Sequence, residues 1–128
     1  MEAMPFRLKP GQDLKTELEA IVASHEIKAG FILTCVGSLS RTRLRLTGLR
    51  HATEFEGNLE ILSLSGTLSP DGLHLHISLA DADGKTIGGH VMDGCLVHTT
   101  AEILIGVLSG VGFSRKKDEN TGYYELVF

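Results

Sequence analysis

With 128 residues, 42% of them hydrophobic and 22% charged, the chain is long enough to bury one full core unaided by disulfides or metal, and too apolar to stay disordered. Twelve basic against sixteen acidic side chains leave a net charge of -4, which excludes a general attraction to a polyanion and confines any nucleic-acid contact to a local patch. A single domain over residues 1–128 is expected.

In chain order, Met1 to Phe6 carries Glu2 and Pro5 and lacks the basic start and apolar stretch of a secretory signal. Met4 to Leu8 reads as a short strand that Pro10-Gly11 breaks. Leu14, Leu18, Ile21 and Val22 then recur at helical spacing behind Asp13, a suitable N-cap, with Glu17 and Glu19 near the positive end of the helix dipole. No second long amphipathic stretch follows, which argues against a helix-turn-helix reader of DNA.

From Gly30 to the end the texture is short β-rich runs separated by Gly, Asp, Asn and Ser. Strands are expected at 30–39, 42–49, 58–68, 72–81, 86–91, 95–107, 112–116 and 123–127. Gly30 to Leu33 and Ile103 to Ile105 lack clean alternation, so these strands are expected to lie between the helix and a second covering layer, which a neighbouring subunit could supply. The fold class is therefore α+β, a mostly antiparallel sheet with one principal N-terminal helix. The apolar run Ile103 to Phe113 is broken by Gly106, Gly110 and Gly112 and falls well short of a membrane span of roughly 20 residues. Cys35 and Cys95 stand in apolar strand-like runs with no C-x-x-C partner and read as buried thiols of a reducing compartment. A cytoplasmic protein without a membrane partner is expected.

The best chemical signal is Gly72-Leu73-His74-Leu75-His76-Ile77-Ser78-Leu79. In a strand alternate side chains share a face, so the leucines and Ile77 point into a core while His74, His76 and Ser78 point the other way. If Asp81 to Lys85 forms a three-residue turn with Gly84 left-handed, His76 falls directly across from His90 with His74 one step along the same face. Three imidazoles then converge, a donor set suited to zinc or another borderline divalent metal with room for a further ligand. A two-residue Asp83-Gly84 turn would instead pair Ile77 with His90 and send that ring to the opposite face. In that case the histidines merely line a polar surface. A calcium loop is excluded, because Lys85 and Met92 occupy positions where acidic ligands are needed.

Arg41, Arg43 and Arg45 alternate with Thr42 and Leu44 and form the basic patch of the chain, able to receive an anion or nucleic acid unless Glu54, Glu56 and Glu60 pair with it. Glu60, by alternation, shares a face with Leu62, Leu64 and Leu68, where a carboxylate is out of character and could serve as an acid or base. Ser63, Ser65 and Ser78 lack a G-x-S-x-G setting, and Gly88-Gly89 does not open a helix as a phosphate loop would. Arg115 and Asp118 are expected to pair within a terminal turn.

Taken together, Arg7-Leu8-x-Pro10-Gly11, Ala29-Gly30, Val36-Gly37-Ser38-Leu39 and Gly57 through Leu68 resemble the plant-and-prokaryote conserved domain. Leu73-His74-Leu75-His76, Gly88-Gly89-His90, Thr99 through Ile103 and Thr121 through Leu126 are similar to its later blocks. The resemblance implies an antiparallel sheet with helix, assembled as a homotrimer. In land plants the domain follows an AT-hook in nuclear regulators; the hook's Arg-Gly-Arg-Pro core does not occur in this sequence. The plant partner-binding segment Gly-Arg-Phe-Glu-Ile-Leu corresponds to Gly57-Asn58-Leu59-Glu60-Ile61-Leu62, without its arginine and phenylalanine. Standalone prokaryotic members retain histidines matching His74, His76 and His90. The preferred expectation is a trimeric binding module holding a divalent metal, zinc foremost, through these three residues, with a small anion as further ligand and a regulatory or DNA-associated role. The alternatives are a metal-dependent enzyme acting on a small anionic molecule, with Glu60 or Asp93 as base, and binding of DNA or a regulatory protein through Arg41, Arg43 and Arg45.

Overall fold

The computed structural model describes residues 1–128. The helix forms where the apolar spacing places it: α1 runs Leu14–Ser24 and buries Leu14, Leu18 and Val22. Asp13 caps it, one carboxylate oxygen accepting the Thr16 N–H at 3.0 Å, which satisfies one of the donors left over in the first turn. The other oxygen accepts the Gly94 N–H at 2.6 Å. A single side chain thus ends one element and ties it to the loop that starts another.

The strands are β1 (Glu2–Leu8), β2 (Gly30–Arg45), β3 (Ala52–Ser69), β4 (Gly72–Ala80), β5 (Thr86–Val91), β6 (Leu96–Val107), β7 (Ser114–Lys117) and β8 (Tyr124–Val127). The first six form one antiparallel sheet in the order β1-β6-β2-β3-β4-β5, while β7 and β8 form a separate hairpin. The two strands expected at 30–39 and 42–49 are one, because an irregularity between Leu39 and Arg41 absorbs the break in alternation. β5 also pairs back onto β2, Leu44 opposite Val91 and Arg45 opposite His90. The far end of the sheet therefore curls until β2, β3, β4 and β5 close on themselves.

That curl needs backbone without side chains. A Cβ at Gly66 would run into the carbonyl oxygen of His74, and the residue sits at φ 150, a conformation that glycine alone adopts readily. At Gly89 a Cβ would lie 3.1 Å from the Arg45 carbonyl oxygen, so the bare backbone here is what lets β5 approach β2. Leu39, Leu44, Leu75, Leu79, Val91 and Val97 fill the interior together with Leu14 and Leu18 of the helix; full burial of each such side chain is worth about 1.5–3 kcal/mol.

No second layer covers the outer face within the chain. Leu33, Val36, Leu62 and Leu104 remain exposed there, on the neighbouring strands β2, β3 and β6. The hairpin is anchored instead at the β3–β4 turn, where Asp71 accepts the Arg115 main-chain N–H at 3.0 Å and the Thr67 hydroxyl accepts from the Arg115 guanidinium at 2.8 Å. The expected Arg115–Asp118 pair does not form; the Asp118 carboxylate accepts the Asn120 N–H and closes its own turn. Both cysteines are buried and free, and burial pushes the Cys35 thiol up to about 12 and raises that of Cys95, so neither is an activated nucleophile. No helix is long and apolar enough to cross a membrane.

Candidate metal centre

The geometry of the centre begins at the β4–β5 turn. Asp81 N–H donates to the Lys85 carbonyl and Gly84 N–H to the Asp81 carbonyl, while the Asp81 carboxylate accepts from both Asp83 and Lys85 main-chain N–H groups at 2.9 Å. Gly84 is left-handed at φ 78. This is the three-residue turn, and it sets His76 opposite His90. Leu75, Ile77 and Leu79 are buried, so His74 and His76 point outward on the same side as the His90 ring.

The three rings meet. Their centroids are 4.9, 5.3 and 5.7 Å apart, one nitrogen from each lies within 4.8 Å of the others, and His74 Nε2 stands 3.2 Å from His76 Nε2. Two nitrogens bound to one tetrahedral zinc at 2.0–2.1 Å would be about 3.3–3.4 Å apart. His74 and His76 thus already hold the separation of paired ligands, and His90 offers a nitrogen within 4.8 Å of both.

Protonation favours the same chemistry. Desolvation lowers the His90 ring from 6.5 to about 4, helped by the positive charge of Arg45, then by His74, His76 and Lys15. His74 is lowered as well, by desolvation first and then by His76, Arg115 and Arg45, with Glu125 acting in the opposite sense. Both rings are therefore neutral near pH 7, with lone pairs free to donate. His90 Nδ1 is buried with no hydrogen-bond partner, an arrangement that costs free energy unless a ligand satisfies it. The donor set fits a borderline divalent ion.

The remaining candidates disperse. Arg41 and Arg43 share Glu54, at 2.8 and 3.5 Å, and Arg43 also donates to the Asp93 carbonyl at 3.0 Å. Arg45 takes no part in that pairing and sits across from His90. Glu60 is exposed, not set among core leucines, because the β3–β4 ladder slips between Ile61 and Ser63 and reverses the alternation; it lines a shallow cleft with His98. Asp93 is 65% exposed and lies 3.7 Å from Lys15. Neither carboxylate lines the clefts bordered by the histidines. What spacing alone does not reveal is the contribution of the terminal hairpin: Arg115, Tyr124 and Glu125 border the same cleft as His74 and His90.

The profile of the Plants and Prokaryotes Conserved (PCC) domain matches residues 1–109. Over 126 residues the sequence is 50% identical to the bifunctional protein GlmU of Synechococcus sp. (strain JA-3-3Ab); the match covers 98% of this chain and 20% of that protein. A hypothetical protein from Salmonella enterica has a solved structure that superimposes with a TM-score of 0.96 at 40% identity, covering 98% of this chain and 91% of the other. A metal-containing protein from Archaeoglobus fulgidus superimposes with a TM-score of 0.84 at 27% identity, covering 100% of this chain and 94% of that one. With its antiparallel sheet, single helix and clustered histidines, this chain belongs to the Plants and Prokaryotes Conserved domain family.

Proposed function

We propose that the chain is a metal-dependent binding module in which His74, His76 and His90 hold one divalent ion, zinc the best match to the donor set, and that it works as a homotrimer. The observation that carries the metal is the 3.2 Å approach of two Nε2 atoms beside a third imidazole. Three imidazole ligands leave at least one coordination position for an outside ligand, which suits a receptor for a small molecule. Support from a relative is the Archaeoglobus fulgidus structure, itself a metal-containing protein.

The trimer rests on the uncovered outer face. Leu33, Val36, Leu62 and Leu104 on adjoining strands form an apolar surface of the kind that second copies cover. DNA binding through the arginine row finds less support, since Glu54 neutralises Arg41 and Arg43.

Elemental analysis of purified protein, combined with light scattering for mass, tests the proposal. About one zinc per chain in a trimer, and loss of the metal without loss of the trimer in His76→Ala, is the expected outcome. Protein that takes up no divalent ion on dialysis against zinc would sink the metal assignment, and a monomeric mass would sink the assembly.

A further inference from the structure

The histidine cluster does not open on bulk solvent alone. His74 and His90 form part of one wall of a cleft of about 960 Å³, into which Arg45 projects from the end of β2 and Arg115, Tyr123, Tyr124 and Glu125 from the hairpin. That volume is at the upper end of the range for small-molecule sites.

Its charges are unspent. Arg45 is half-buried and lies within 4 Å of no carboxylate. Arg115 gives one guanidinium N–H to the neutral Thr67 hydroxyl and only its main-chain N–H to Asp71, so its charge also lacks a partner. Glu125 borders the cleft without pairing to either arginine. On the neighbouring stretch of β2, by contrast, Glu54 neutralises Arg41 and Arg43. Two half-buried arginines converging on one cavity without an ion pair leave electrostatic free energy that an anion would recover, and the guanidinium fork matches the paired oxygens of a carboxylate or phosphate. Tyr123 and Tyr124 add aromatic surface for a carbon skeleton and two hydroxyls for further hydrogen bonds. Glu125 and Asp71, both in the lining, set a limit: their negative charges oppose a polyanion.

We infer that this cleft is the receptor for a small oxyanionic molecule, bearing a carboxylate or phosphate group, which Arg45 and Arg115 hold and orient so that a further oxygen reaches the centre formed by His74, His76 and His90. The arginine contact stands on its own; only the second contact rests on the metal reading above. The hairpin is then a wall of the binding site, and its attachment through Arg115 is part of how the site is built.

Calorimetric titration of the intact protein with inorganic phosphate and with oxalate, on zinc-loaded and chelated samples whose metal is measured, tests the inference. A single saturable site for at least one probe is expected, weakened about tenfold or more in Arg45→Gln and in Arg115→Gln and unchanged in Arg41→Gln. Phosphate taken in preference identifies a phosphoryl ligand, oxalate a carboxylate. Arg45→Gln removes no ion pair, so it decides the matter even if Arg115→Gln releases the hairpin. Zinc-loaded protein that binds neither probe, or binding indifferent to Arg45→Gln, overturns the oxyanion assignment and leaves the metal reading standing. Protein that never holds zinc yet takes a probe through Arg45 overturns the metal reading alone.

Discussion

The protonation of His90 should be visible as a pH dependence of stability in the metal-free protein. Burial and the nearby positive charges bring its folded-state pKa from 6.5 to about 4, below the value in the unfolded chain. Between those two values the unfolded chain binds more protons, so stability rises with pH. The contribution is fully present above about pH 6.5 and is lost as pH falls through about 4. Taken whole, the shift corresponds to at most about 3.4 kcal/mol, and because the ring is only partly buried, solvent screening reduces the expectation to about 1–2 kcal/mol. Urea unfolding in a chelator, at intervals from about pH 7.5 to pH 4, would compare the wild type with His90→Gln, which cannot titrate. Carboxylates protonate over the lower part of the same range, but they do so in both proteins and cancel in the difference. The wild type should lose about 1–2 kcal/mol more than the variant across the window. Parallel curves would refute the account of a desolvated, neutral His90.

Three further outcomes follow from the same structure. Zinc at about a hundredfold excess over its dissociation constant should stabilise the protein by roughly 2.7 kcal/mol, seen as a raised thermal midpoint that chelator reverses and that His76→Ala abolishes. Gly66→Ala, which drives a Cβ into the His74 carbonyl, should cost about 3 kcal/mol or more by denaturant unfolding. Gly57→Ala, at φ 91 with open space around it, should cost only about 1 kcal/mol, and equal losses would show that the curl is not what Gly66 supports. Asp13→Ala removes both the cap on Thr16 and the acceptor for Gly94 and should lower the unfolding free energy by about 1–3 kcal/mol in denaturant titration, with Asp13→Asn recovering part of the loss.

The helix and the histidine hairpin are legible in the sequence because their determinants are local. Asp13 with Leu14, Leu18 and Val22 is a complete helix start, and the choice between two turn registers is made within five residues, by Asp81 accepting from Asp83 and Lys85 while Gly84 takes the left-handed conformation. Counting alternate residues fails where a strand slips. Glu60 lands on the outer face because the ladder shifts between Ile61 and Ser63, and no residue type there announces the bulge. The arginine row is legible in part: Glu54, one of the cross-strand partners the sequence offers, pairs with Arg41 and Arg43, while the return of β5 onto β2 sets Arg45 beside His90. That closure, like the seating of Arg115 near His74, joins segments far apart in sequence, and local pattern carries no record of it.

The placement of the histidines also decides what the ion would be for. None of the three belongs to the buried core cluster of 22 residues, which assembles from leucines, isoleucines and valines with Ala101 and the two cysteines, without reference to them. A small zinc domain that lacks such a core folds only when its ligands are drawn together. Here two ligands are fixed two residues apart on one strand and the third directly across the ladder, so the backbone has already met the cost of bringing the rings into reach. Metal binding would then draw mainly on side-chain adjustment, and removal of the ion should leave the sheet intact. An ion held at such a prearranged site with coordination to spare, facing a cleft whose two arginines form no ion pair, would be placed to bind an outside ligand and would contribute only secondarily to the fold.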